Sequence, residues 1–147
     1  MIKVNPYLNF QGNTEEAFNF YREVFGGEFL MLQRFRDTPD FEKLPARDHD
    51  KIMHVSLPLG QGNILMGTDS LESMNQKLHK GNNFYICIST ESEAEADKVF
   101  NALSTDAKVE MELQRTFWGA YFGMLTDKFG VQWMVDHSSE EQDRDQI

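Results

Sequence analysis

The side chains that could do chemistry in this 147-residue chain fall in a few short runs. In Ile52-Met53-His54-Val55-Ser56-Leu57, an imidazole stands in an apolar stretch. Strand alternation would put His54 and Ser56 on one face, with Met53, Val55 and Leu57 on the other. An imidazole facing a cavity can bind an anion, accept a proton or ligate a metal. Bonded to backbone, the same residue is structural. In Asn5-Pro6-Tyr7-Leu8-Asn9-Phe10, Tyr7 and Asn9 share a face. Together they offer a hydroxyl donor and an amide to orient a ligand, or ordinary packing with one hydroxyl satisfied. A third run holds Arg115, Phe117 and Trp118. Arginine beside aromatics suits a carboxylate or phosphate on a planar ligand. It suits a structural salt bridge or a dimer contact equally well. Trp133 alternates with Met134 and either walls a pocket or fills the core.

Other candidates have plainer readings. Asp127-Lys128-Phe129-Gly130 reads as a turn in which the aspartate accepts backbone hydrogen bonds. Cys87 lies in the apolar run Phe84–Ile88, where a buried thiol is expected. His49 and His79 sit in polar segments and His137 opens the tail, so no two histidines show a short metal-binding spacing. Arg47, Asp48, His49 and Asp50 lie in a long polar loop that either covers a cavity mouth or is simply surface.

These residues must be positioned by elements. Residues 2–10 read as a strand that Pro6 confines to an edge or an entry. Asn13 with Glu16 approximates a helix cap, and a helix follows over Glu15–Phe25, with Ala17, Phe18, Tyr21, Val24 and Phe25 on one face. Gly26-Gly27 ends it. Phe29–Phe35 reads as a strand and Arg36–Asp50 as a loop with a short turn near residues 41–44. Ile52–Leu59 and Asn63–Gly67 form a hairpin, and residues 69–81 form a polar linker. Asn83–Ser89 is a strand and Ser92–Leu103 a helix opened by a Ser92/Glu95 capping box. Strands near Val109–Leu113, Ala120–Thr126 and Gln132–Val135 complete the chain. The order is β-α-β-β-β twice over, an α+β arrangement whose repeat is one of pattern more than of sequence. It predicts one domain over residues 1–137, made of modules at about 1–68 and 82–137 around a shared cavity. An acidic, disordered tail is expected over 138–147.

Composition bounds the partners. A net charge of −10 disfavours nonspecific binding to nucleic acid or anionic membranes. No run approaches the roughly 20 apolar residues of a membrane helix. The lone cysteine excludes an intrachain disulfide and fits a reduced, cytoplasmic setting. Twelve phenylalanines supply both core and pocket walls.

Several motifs add up to a family likeness. They are Asn5-Pro6-Tyr7-Leu8 with Phe10; Ala17, Tyr21 and Phe25-Gly26; Met53-His54; and Leu65-Met66-Gly67-Thr68-Asp69. Phe117-Trp118-Gly119 and Thr126-Asp127-Lys128-Phe129-Gly130-Val131-Gln132-Trp133 complete the set. Over residues 3–136 the chain resembles the vicinal oxygen chelate superfamily of glyoxalases, bleomycin-resistance proteins and dioxygenases. Within it the chain is most similar to the PhnB-like branch, also labelled 3-demethylubiquinone methyltransferase-like. The resemblance implies metal ligands on the first and last strand of each half. Those positions are expected at Pro6, Leu65 or Met66, Asn83 and Met134, none of them a histidine or carboxylate. No metal or cofactor is therefore expected, and no glycine-rich turn suited to a methyl-donor cofactor is seen.

Three functions stay open at this point. One is a small-molecule-binding protein of the bleomycin-resistance kind, with a pocket including Tyr7, Asn9, His54, Arg115, Trp118 and Trp133. Another is a metal-assisted lyase, isomerase or oxygenase acting on a small oxygenated substrate, with His54 as its best catalytic candidate. The last is a structural role with a vestigial cavity. The resemblance also implies a homodimer.

Overall fold

The computed structural model of the chain describes residues 1–138. The chain divides into two compact units, Met1–His79 and Lys80–Ile147. The tail expected over 138–147 lies, beyond Ser138, outside the described residues.

The first unit runs β1 (Tyr7–Phe10), α1 (Thr14–Phe25), β2 (Met31–Arg34), β3 (Ile52–Gly60) and β4 (Asn63–Asp69). Its sheet has the order β1-β4-β3-β2, with β1 parallel to β4 and the other pairs antiparallel. The apolar stripe of α1 is the cause of its burial: Ala17, Phe18, Tyr21 and Val24 are buried, as are Leu8, Phe10, Val55, Leu57 and Leu65 of the sheet. Each of the valine, leucine and phenylalanine side chains among them contributes roughly 1.5–3 kcal/mol on leaving water. Strand β1 is shorter than expected. Residues 1–4 are exposed, and pairing starts where the Pro6 carbonyl accepts from Met66 N–H.

The cap of α1 differs from the Asn13/Glu16 reading. Asn13 makes no side-chain cap hydrogen bond. The carboxylate of Asp69, from the end of β4, takes its place. Its Oδ1 accepts from the N–H groups of Gly12 (2.9 Å) and Thr14 (3.1 Å) and from the Thr14 hydroxyl (2.6 Å). Its Oδ2 accepts from Ile52 N–H at 2.8 Å. The loop after β2 also differs from a plain surface strap. It forms 3-10 turns at Phe35–Asp37, Phe41–Lys43 and Ala46–Asp48. Asp48 is buried and anchors it, accepting from Lys51 at 2.8 Å and Ser73 at 2.7 Å.

The second unit repeats the order: β5 (Ile86–Ser89), α2 (Glu93–Leu103), β6 (Lys108–Arg115), β7 (Tyr121–Thr126) and β8 (Gln132–His137). Its sheet order, β5-β8-β7-β6, matches the first strand for strand. Helix α2 buries Ala96, Val99, Phe100 and Leu103. Ser92 caps it by accepting from Glu95 N–H at 3.0 Å, but the Glu95 carboxylate reaches Glu91 N–H, one residue beyond the expected box. The β7–β8 turn is built on Asp127, as its sequence predicts. Asp127 Oδ1 accepts from Phe129 and Val131 N–H at 2.8 and 3.0 Å. The fold is therefore α+β, two βαβββ modules of matching topology.

Candidate functional site

In the first module, one face of the sheet carries α1 and the other bears the candidate residues. Gly67 lies under Phe18 of the helix, so its neighbours Met66 and Thr68 point the other way. Register places Tyr7 beside Met66, Asn9 beside Thr68, Ser56 beside Met66 and His54 beside Gln33. The expected pairings of faces, Tyr7 with Asn9 and His54 with Ser56, thus fall on one surface.

Two of these residues meet. The Tyr7 hydroxyl lies 3.0 Å from His54 Nδ1, and the rings are 5.6 Å apart. Burial pushes the Tyr7 phenol above its ordinary range, so it stays protonated at neutral pH. A protonated phenol that donates to Nδ1 leaves the neutral imidazole's proton on Nε2. The pair then carries an Nε2–H donor, chemically suited to a carbonyl, carboxylate or other oxygen acceptor. Tyr7 acts through His54 in this arrangement. Asn9 is exposed and lines a recess of about 420 Å3 with Phe35, Met53, Thr68, Asp69 and Met74. The register shifts at Met53: Gln33 pairs with His54 but Arg34 with Ile52.

The second module treats its candidates differently. Arg115 is committed to Glu93, with Nη1–Oε1 at 2.7 Å and Nη2–Oε2 at 2.8 Å. Its fork is filled by a carboxylate of the chain itself. Trp118 is half exposed, edge-on to Phe117 and to Phe122. It lines a recess of about 450 Å3 with Ser89, Thr90, Ala120, Phe122 and Asp136. Trp133 does not wall a pocket. It is fully buried and donates Nε1–H to Asp127 Oδ2 at 2.8 Å. Alternation puts it and Val135 inside, and leaves Met134 and Asp136 to the other face.

Cys87 corrects another expectation. It is exposed, because the same alternation turns it and Ser89 away from the buried side. Loss of surrounding water, then the charge of Asp136, pushes its thiol up, so it is no ready thiolate. Asp136 is the residue that sequence reasoning missed. Extending the last strand two residues past Val135 would have found it.

The expected metal positions shift with the true register. Pro6 precedes β1 and Asn83 precedes β5, while Leu65 is buried beneath the helix. The outward positions of the paired strands are Tyr7 with Met66 in one module and Cys87 with Met134 in the other. Phenol, thioether and thiol are poor substitutes for the imidazole and carboxylate set of a divalent site. Among the described residues, no three His, Cys, Asp or Glu side chains gather around a common point. A metal does not fit these donors. A methyl-donor cofactor fits no better at the first strand-to-helix turn, because Asp69 already occupies the Gly12 and Thr14 amides.

A family model described as 3-demethylubiquinone-9 3-methyltransferase matches residues 2–136. Protein YjdN of Escherichia coli (strain K12) is 29% identical over 143 residues, covering 92% of this chain and 95% of its own. The crystal structure of protein PA1353 from Pseudomonas aeruginosa is 38% identical, with TM-score 0.82, covering 94% of this chain and 98% of that one. A putative 3-demethylubiquinone-9 3-methyltransferase, PhnB protein, from Bacillus cereus is 28% identical, with TM-score 0.74 over 93% of this chain and all of its own. The same fold recurs in glyoxalase/bleomycin resistance proteins at 14% and 13% identity.

Proposed function

The chain belongs to the 3-demethylubiquinone-9 3-methyltransferase family, the PhnB-like branch of the glyoxalase/bleomycin resistance/dioxygenase superfamily, and on that premise we propose that it binds a small oxygenated molecule. The observation that carries this reading is the Tyr7–His54 hydrogen bond on the sheet face opposite α1. With the phenol as donor, the imidazole keeps its proton on Nε2 and can offer it to a ligand, and Asn9 on the same sheet face lines a recess. This is ligand recognition that needs no metal. Sequestration of the bleomycin-resistance kind suits it better than turnover, because among the described residues no second acid or base side chain bonds to the pair.

We place the protein in the cytoplasm, where its exposed single thiol stays reduced. We also propose a homodimer, since β1 is a sheet edge preceded by the exposed apolar side chains of Ile2 and Val4.

The test is a thermal-shift screen of small carboxylates, carbonyls and phosphonates on chelator-treated protein, whose sedimentation should read as a dimer. A bound ligand raises Tm. His54→Gln should weaken it by about tenfold, the size of one charge-assisted hydrogen bond, and Tyr7→Phe by less. Ligands indifferent to both substitutions would remove the proposed site. Stoichiometric divalent metal in the purified protein, with turnover lost in His54→Ala, would favour the enzyme reading instead.

A further inference from the structure

Strand register brings the sulfur-bearing residues of the second module into one row. Cys87 of β5 pairs with Met134 of β8, Met134 with Met124 of β7, and Met124 with Met111 of β6. Residues paired across strands share a face. Gly123, the neighbour of Met124, lies under Phe100 of α2, so the row is on the face opposite that helix. The chain's one cysteine and three of its methionines therefore stand side by side. Cys87 is exposed and the three methionines are half-buried, so a small solute can reach them.

The fold does not call for this row. The matching positions of the first module are Tyr7, Met66, Ser56 and Met31, where no two sulfurs are adjacent. Strand propensity favours β-branched and aromatic residues on a half-open sheet face.

The donors decide what the row can hold. Thiolate and thioether are soft ligands, and the softness that makes them poor partners for a hard divalent ion favours copper(I) and its like. Neighbouring strands lie about 4.8 Å apart, so four sulfurs spread over roughly 14 Å are too many for one ion. Three are not. With Met134 in the middle, Cys87 and Met124 are each one strand spacing away, a gap that flexible thioethers close. Loss of surrounding water and then the charge of Asp136 hold the Cys87 thiol protonated, against a hydrogen bond with Ser89 that works the other way. A soft cation displaces that proton to solvent and leaves a neutral thiolate–metal pair.

We propose that Cys87, Met134 and Met124 form a binding site for a soft monovalent metal ion of the copper(I) class, with Met111 beside the site and outside its donor set. The site uses neither Tyr7 nor His54, and neither reading depends on the other.

Anaerobic titration of the full chain with copper(I) held by bicinchoninate tests it, with silver(I) as a second probe. One ion should bind per chain, and zinc(II) should not displace it. Cys87→Ser should abolish binding. Met134→Leu and Met124→Leu nearly conserve volume and should fold as the unaltered chain does. Each should weaken copper(I) binding by at least about tenfold, since even the loss of a residue that only supports a metal ligand costs that much. Met111→Leu should weaken it less than either. If the Met134→Leu and Met124→Leu proteins both bind as tightly as the unaltered chain, the ion sits on a thiol alone and the site is overturned. Displacement of copper(I) by zinc(II) overturns it too, as does an unaltered protein that takes no copper(I) from the chelator.

Discussion

At the residue scale, Asp69 accepts four hydrogen bonds, from α1, its leading turn and β3. Replacing it with Asn keeps the volume but turns an N–H2 group toward groups that are themselves donors. Asp69→Asn should therefore cost about 2–4 kcal/mol, read as a fall in the urea midpoint at unchanged slope. A change below about 0.5 kcal/mol would show that water replaces the carboxylate and that the cap is not structural. This role was not legible in the sequence, where Asp69 opens the polar linker over residues 69–81. Trp133 and Arg115 were no more legible, since their bonds are made to Asp127 and Glu93, 6 and 22 positions away. His54, Tyr7 and Asn9 were legible as candidates, because alternation alone fixes which face a strand residue shares.

At the element scale, the helices and most strands were legible because apolar periodicity and glycine stops are local signals. What was not legible is how closely each helix approaches its sheet. Two glycines set that distance. A Cβ built on Gly67 would lie 2.5 Å from Phe18 Cε2, and one on Gly123 would lie 2.7 Å from Phe100 Cε2. Neither glycine has positive φ, so the constraint is space and not backbone conformation. Both phenylalanines are buried and have no free volume to enter. Backbone crowds both sites as well, Leu8 O at 3.2 Å from the new atom at Gly67, but Leu113 N and Cα at 3.1 and 3.2 Å from the one at Gly123, and backbone yields less than a ring. Gly67→Ala should destabilise by about 1–3 kcal/mol, the range for overpacking, and Gly123→Ala by more. Calorimetric Tm values for the two variants check the order; equal or negligible shifts would mean that the helices slide outward freely.

At the scale of the whole molecule, the paired topology was legible, while the strand register that turns Cys87 and Asp136 outward was not. A slip of one residue exchanges the faces of a strand. Charge is the property that all these residues share, and it predicts how stability depends on pH. The Asp48 carboxyl sits below its ordinary range, held there chiefly by its hydrogen bond to Lys51. A depressed folded value means that this stabilisation is present above about pH 4 and is lost as pH falls through the folded value. The phenols of Tyr7, Tyr85 and Tyr121 are displaced the other way. Burial raises Tyr7; donation to the carboxylates of Glu110 and Asp97 raises Tyr85 and Tyr121. Their stabilisation is complete below about pH 10 and is lost as pH rises through the raised values. Protonating carboxylates carries the chain from its net charge of −10 through neutrality to a net positive charge, whereas ionising phenols adds to the negative charge, so self-repulsion grows on both limbs. Urea midpoints measured across pH should hold a plateau between about 5 and 9 and fall on both sides of it. Tyr121→Phe, which cannot ionise, should flatten the alkaline limb. An alkaline limb unchanged by that substitution would show that the Tyr121–Asp97 bond does not hold the phenol's proton.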